Sequence, residues 1–228
     1  MASEISLTGP RKLVAGHMMK SLAGAAQLSF HAECDVTDLV ERRAAWKAEG
    51  ITVGLEDCLV AALTGAMQCF PQYNGTVQEG RLVGSDQVHI ALAMPVNGLL
   101  LTPVLRDAHA KSLTKISEER RELSGRAKAG ALKVSDMVGS TVTMSNLGLT
   151  AVHHFTPILN QGQVVLLGVG NIQSRLAFDA EGAVVERQMM GLSLTADHRF
   201  VDGEPAGQLL GEIIRMLIGM TLSSPTHE

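Results

Sequence analysis

The sequence predicts an α/β protein: a two-layer sandwich in which helices pack against one mixed β-sheet. Three observations predict it. Long apolar or amphipathic helical stretches alternate irregularly with β-branched stretches, without the repeated β-α-β order of a doubly wound sheet. The 228 residues suffice for one substantial core and are read as a single domain over 1–228. Hydrophobic residues make up 46% and aromatics 3%, so that core must be aliphatic.

Glu4 to Thr8 is read as a short strand, and Pro10 suits the first turn of a helix over Arg11 to Leu22. Leu28 to Val36 alternates and predicts a strand. Thr37 is an N-cap candidate for a helix that Gly50 stops, with Asp38 and Glu41 early and Arg42, Arg43 and Lys47 late, as the helix dipole favours. Leu55 to Phe70 is apolar on most sides, which predicts a buried helix ended by Pro71. Thr76 to Val83 reads as a hairpin around Gly80. Strands are expected over Val88–Pro95 and Gly98–Leu105, with Asn97-Gly98 as their turn.

Ser112 caps a predicted helix to about Ala129, with Leu113, Ile116, Arg120, Leu123 and Ala127 along one side. The mixed charges from Arg120 to Lys128 read as a solvated helix face. Val134 to Val138 is a short helical turn, and Thr141 to Gly148 begins as an alternating strand. Gln163 to Gly170 is an apolar strand, and Ala177 to Arg187 a hairpin around Glu181-Gly182. A strand over Met190–Leu194 and a helix over Pro205–Leu217 flank a charged turn, Asp197-His198-Arg199-Phe200-Val201-Asp202-Gly203.

Composition bounds the function. The net charge is −4, and no basic tract with interleaved aromatics points to nucleic acid. No signal peptide or stretch of transmembrane length is visible, so a soluble cytoplasmic protein is expected. Cys34, Cys58 and Cys69 have no Cys-x-x-Cys spacing, and an odd count suits a reducing compartment. Cys58 and Cys69 are read as small buried hydrophobes rather than nucleophiles. His153 and His154 are adjacent, and neighbours in a strand point opposite ways, so no metal is expected there. Gly168-Val169-Gly170 lacks the third glycine of a dinucleotide loop.

Charged residues between an apolar strand and an apolar helix cost desolvation, so the 197–203 turn needs a reason. His198 is the side chain suited to proton transfer near neutral pH, or else a satisfied structural histidine. Asp202 either orients it or fixes the loop by pairing with a cation. Ser145 is not in a Gly-x-Ser-x-Gly elbow, so it is a candidate oxyanion donor rather than a nucleophile. Thr143, two positions away on the same strand face, is the alternative hydroxyl.

The turn resembles the active-site motif of the acyltransferase component of 2-oxoacid dehydrogenase complexes: Asp-His-Arg, two apolar residues, then Asp-Gly. Its His-x-x-x-Asp-Gly core is shared with chloramphenicol acetyltransferase. Further segments match in the family's order: Arg11-Lys12 to Ser21, Pro71 to Asn74, Leu100 to Asp107, Thr143 to Gly148, and Phe155 to Asn160. The resemblance extends from about Ser6 to Leu217 and implies a chloramphenicol acetyltransferase-like fold.

It also implies a direct acyl transfer between dihydrolipoamide and coenzyme A, with no acyl-enzyme. His198 would be the general base, Ser145 the oxyanion donor, and Asp202 a structural residue paired with Arg11; Arg199 and Asp197 would fix the loop. Coenzyme A would be a substrate, the lipoyl group would come from a partner, and no metal would take part. Partners would be two further copies in a homotrimer, a lipoyl-bearing protein or domain, and dehydrogenase subunits. Three features depart from the family. No lipoyl or peripheral-subunit-binding domain lies within the 228 residues, as expected either of a stand-alone protein or of one domain of a longer one. The terminal leucine cluster that joins trimers into cages is missing from Gly219 to Glu228, so assembly is expected to stop at the trimer; Met216, Leu217, Ile218, Met220 and Leu222 either form a substitute hook or finish the last helix within their own trimer. Glu204 stands where succinyl-transferring members often carry Arg. The rival readings are a silent trimeric scaffold and a coenzyme A-dependent enzyme acting on a small hydroxyl or amine.

Overall fold

The computed structural model describes residues 7–222. The expected strand over Glu4–Thr8 lies mostly outside them, and Leu7 and Thr8 are irregular. In order come α1 (Gly9–Gly24), β1 (Gln27–Asp35), α2 (Thr37–Ala48), α3 (Leu55–Cys69), β2 (Gly75–Gln78), β3 (Arg81–Gly84), β4 (Ile90–Val96), β5 (Leu99–Leu101) and β6 (Val104–Leu105). Then follow α4 (Leu113–Lys128), β7 (Val142–Asn146), β8 (Val165–Phe178), β9 (Val184–Asp197) and α5 (Gly203–Ile218). Among the described residues no helix is long and apolar enough to cross a membrane.

The main sheet runs β1-β9-β8-β7-β4-β5, with β6 also on β4. β7 is parallel to both β4 and β8, whereas β9 is antiparallel to its two neighbours β1 and β8, so the sheet is mixed. Strand alternation divides it into two unlike faces. Val142, Met144, Leu167, Met190, Leu192 and Leu194 point to one face and join the core with α3 and α5. Thr143, Ser145, Gly191, Ser193, Thr195 and Asp197 point to the other. Helices therefore cover the apolar face, giving the expected two-layer sandwich.

β8 and β9 are each 14 residues long, far beyond their apolar stretches. They continue as a two-stranded ribbon to the Asp179–Ala183 turn, where Gly182 has φ +83°. Asn97 and Gly98 both have positive φ, 49° and 77°, as the tight hairpin between β4 and β5 requires. Thr37 is the first residue of α2 rather than its cap. Its hydroxyl donates to Asp35 Oδ1 at 2.5 Å and accepts from the Gln188 amide at 2.9 Å, tying the helix start to β9.

α3 is buried along nearly all its length, as its composition predicts. Its one buried charge is Asp57, which accepts from the Gly54 amide at 2.6 Å and pairs with Arg120 of α4. Arg120 sits mid-stripe among the apolar residues of α4 and also reaches Glu56 at 3.0 Å. The expected solvated face thus begins after Arg120, whose side chain is only 16% exposed. Cys34 and Cys58 are buried, and burial pushes both thiols up to about 12, which makes them poor nucleophiles. Cys69 differs from expectation: it is exposed at the end of α3, 3.6 Å from Glu212.

Replacing Asp57 leaves a half-buried guanidinium short of a partner and an uncapped helix start. Asp57→Ala is expected to lower stability by about 3 kcal/mol, the lower end for a broken buried pair because Glu56 remains. Urea unfolding of the two proteins measures this, and a change under 1 kcal/mol, on the order of a surface pair, contradicts it.

Candidate active site

β9 ends at Asp197, whose side chain is 1% exposed. Four donors hold its carboxylate: the amides of Ala26 (3.2 Å) and Arg199 (3.1 Å), and Arg199 Nε (3.0 Å) and Nη2 (2.6 Å). The Phe200 and Val201 amides donate to the Asp197 carbonyl, and the fully buried Val201 side chain anchors the turn in the core. The His198 amide donates to Ala26, the residue before β1, at 2.8 Å. The backbone of the turn is therefore fixed on both sides, while the imidazole stands half exposed.

Asp202 is the N-cap of α5, though its side chain makes no capping bond. His198 Nδ1 lies 3.5 Å from Asp202 Oδ1, and the Asp202 carboxylate is 82% exposed. Among the described residues no ion pair joins Arg11 to Asp202 within one chain; Arg11 lies on the exposed side of α1. The cation that fixes this loop inside the chain is Arg199, through Asp197.

Ser145 lies near the end of β7 and lines a cavity of about 290 Å³ with Thr143, Met18, Phe155, Pro157 and Asn160. The two hydroxyls share a strand face, as expected, but differ in what they touch. Thr143 donates to the buried Gln163 Oε1 at 2.6 Å. Gln163 in turn donates to the Ser140 carbonyl and hydroxyl at 3.1 and 2.8 Å. That network commits the Thr143 proton, whereas Ser145 has no hydrogen-bond partner among the described residues. Gln163 had no visible signal in the sequence, because its role arises only where β7 and β8 pair.

The cavity wall is the segment between β7 and β8, and glycines let it lie on the sheet. A side chain at Gly170 or Gly191 would collide with the His153 carbonyl oxygen, and one at Gly168 would press on the Phe155 ring. These are close-approach glycines, which is the physical role of the Gly168-Val169-Gly170 segment. His153 and His154 lie in this loop rather than in a strand, so their side chains do not diverge: the rings meet at 4.3 Å between centroids.

The chain does not bring His198 and Ser145 together. Ser145 pairs with Gly168 and Gly168 with Ser193, five positions before His198 (198 − 193 = 5). At ordinary strand spacings that is about 17 Å along the strands and about 10 Å across them. Neither cavity detected near these residues contains both.

Burial works to raise the Asp197 carboxyl, but the hydrogen bonds from Arg199 and Ala26 outweigh it and hold the group below its ordinary 3.8. Its folded value lies below its unfolded one. The stabilisation is therefore complete above the ordinary aspartate range and is lost as pH falls through the folded value. Stability measured by denaturant should hold level down to about pH 5 and then fall toward acid, and Asp197→Asn should flatten that fall. An unchanged slope in the variant would remove Asp197 from this role.

The family model for 2-oxoacid dehydrogenases acyltransferase (catalytic domain) matches residues 2–222. The chain is 34% identical over 214 residues to the dihydrolipoyllysine-residue acetyltransferase component of the acetoin cleaving system of Bacillus subtilis, covering 92% of this chain and 54% of that protein. It thus spans about half the length of the curated relatives it matches. A crystal structure of a probable dihydrolipoamide acetyltransferase from Listeria monocytogenes superimposes with TM-score 0.88 at 31% identity, covering 95% of this chain and 94% of the other. One from Azotobacter vinelandii dihydrolipoamide acetyltransferase, from work on the catalytic role of a serine, a histidine and an asparagine, gives 0.87 at 28% identity over 96% and 92%. Chloramphenicol acetyltransferase shares the fold at TM-score 0.54 and 20% identity, covering 85% of this chain and 84% of that one. The charged turn, the mixed sheet with one polar face, and a match over nearly the whole length lead to one conclusion: the chain belongs to the 2-oxoacid dehydrogenase acyltransferase (catalytic domain) family.

Proposed function

We propose that this chain transfers a short acyl group between dihydrolipoamide and coenzyme A, at a site composed of His198 from one copy and Ser145 from a neighbour. The separation of these two side chains within one chain is the observation that carries this reading. The thiol that His198 deprotonates must lie beside the carbonyl whose oxygen Ser145 binds, each within about 3 Å of its residue, which one copy does not arrange. His198 is fixed at its backbone and open at its ring, and Ser145 opens into a cavity with an uncommitted hydroxyl. Each is half of a site facing outward.

His198 takes the proton from the coenzyme A thiol. The thiolate sulfur bonds to the thioester carbonyl carbon, and the negative charge moves to oxygen, where the Ser145 hydroxyl donates to it. The intermediate collapses, the bond to the dihydrolipoamide sulfur breaks, and the leaving thiolate recovers the proton from His198. Asp202, 3.5 Å from Nδ1, orients the imidazole from behind. The far nitrogen is then the one that exchanges the proton.

The assembly that supplies the second half-site is a homotrimer. α1 supports this, because Leu13, Met19 and Leu22 leave 67%, 70% and 50% of their surfaces exposed. Among the described residues the polar sheet face is covered near Ser145 by the loop before β8 and by Met18 of the largely exposed α1. Leu217 and Met220, offered by the sequence as a hook for neighbouring trimers, are spent in the chain's own core at 0% and 4% exposure; Ser223 to Glu228 lie outside the described residues. The lipoyl group would arrive on a partner protein or domain that also contacts the dehydrogenase subunits. Glu204, exposed in the first turn of α5, disfavours a dianionic acyl group.

His198→Ala and Ser145→Ala should each lower kcat by on the order of 100-fold or more in a thioester exchange assay. Unfolding and refolding the two variants together should restore about a quarter of wild-type activity, by random pairing of intact half-sites across interfaces. Restoration requires that one copy supplies His198 and another Ser145; a mixture as dead as its components overturns the shared site. Light scattering should give a mass near three times 24.2 kDa. A monomer that turns over at the full rate contradicts the assembly.

A further inference from the structure

The polar face of the sheet carries a second cluster that acyl transfer does not use. Glu33 of β1 and the loop residues His153 and His154 each present one donor atom, and these atoms lie within 4.8 Å of one another. His153 Nε2 and Glu33 Oε1 are 2.8 Å apart. His31, two residues before Glu33 on the same strand face, stands 5.3 Å ring to ring from His154.

Two imidazole nitrogens of this cluster lack a partner. His154 Nδ1 is buried without a hydrogen-bond partner. His153 Nδ1 is likewise buried and unpartnered. Buried lone pairs that face no donor cost free energy.

We propose that Glu33, His153 and His154 bind a divalent transition-metal ion of the zinc type, which staples β1 to the loop walling the Ser145 cavity. Two imidazole nitrogens and one carboxylate suit such an ion better than magnesium or calcium, which prefer oxygen ligands. Ligand bonds of about 2.0–2.1 Å put tetrahedral ligands about 3.3 Å apart, so the widest gap closes by a side-chain rotation. Arg175 Nη1, 2.7 Å from Glu33 Oε1, now occupies the carboxylate, and at 43% exposure it can swing outward. His31 or water completes the coordination. The ion is a staple and not a reactant, since His198 belongs to a different turn.

The test is zinc titration of the full chain against a chromophoric chelator, with visible absorption of the cobalt form reporting geometry. One ion per chain, tetrahedral cobalt bands and no competition by magnesium are expected. His154→Gln and Glu33→Gln should each weaken binding at least about 100-fold, beyond the usual loss for an outer-sphere partner. Arg175→Ala should tighten it about tenfold by removing a nearby positive charge, a gain that misfolding cannot mimic. His198→Gln should leave the affinity unchanged. The proposal is overturned by the absence of saturable binding, by binding that survives His154→Gln, by no tightening in Arg175→Ala, or by loss in His198→Gln.

Discussion

Alternation along a strand is the constraint on which this structure depends. In β7 from Val142 to Ser145 and in β9 from Met190 to Asp197 every second residue is an apolar side chain facing the helices, and every other one is small or polar. A sheet buried on both faces would read as continuously apolar. Here Thr143, Ser145, Ser193, Thr195 and Asp197 occupy the opposite face at 2%, partial, 1%, 0% and 0% exposure, and the buried ones are hydrogen-bonded. That face can be buried only where its polar atoms find partners, and the structure supplies them in pairs: Ser29 with Thr195 at 2.6 Å, and His31 with Ser193 at 2.8 Å.

The same constraint shapes the loop between β7 and β8. A backbone segment laid over a sheet must either be held away by side chains or descend onto glycines. Gly170 and Gly191 let the His153 carbonyl approach, and Phe155 then comes down over Gly168 beside Ser145. The descent also brings two imidazoles against Glu33 of β1. One geometric concession, the lack of Cβ atoms on the polar face, thus builds the wall of the cavity and assembles the histidine cluster.

The turn from Asp197 to Gly203 is held by an interaction that leaves the imidazole of His198 open. Asp197 has its lone pairs filled by backbone amides and by Arg199, so it is strongly fixed. His198 follows it directly and inherits a rigid backbone. Its ring is half exposed, with Asp202 Oδ1 3.5 Å from Nδ1. Separating the buried anchor from the imidazole by one residue fixes the backbone and leaves the ring open, as the proposed role of His198 requires.

The sequence by itself determined most of the element order, the aliphatic core, the buried helix over 55–69, the Asn97-Gly98 turn and the motif around His198, since each rests on local periodicity or turn chemistry; the single strand it predicts over Gly98–Leu105 is instead β5 and β6, interrupted at Thr102-Pro103. It also marked Thr143 and Ser145 as sharing a face. It did not determine which of them keeps a free proton, because Gln163 reaches Thr143 only when β7 and β8 pair. Nor did it determine that Arg120 lies buried against Asp57, 63 residues away. The expectation that His153 and His154 diverge assumed a strand, and only the glycine-lined approach of the loop to β8 and β9 turns both rings inward. Only the tertiary structure decided that His198 and Ser145 stand far apart in one chain, because that distance is set by strand register and order, and pairing between distant segments leaves no trace in local periodicity.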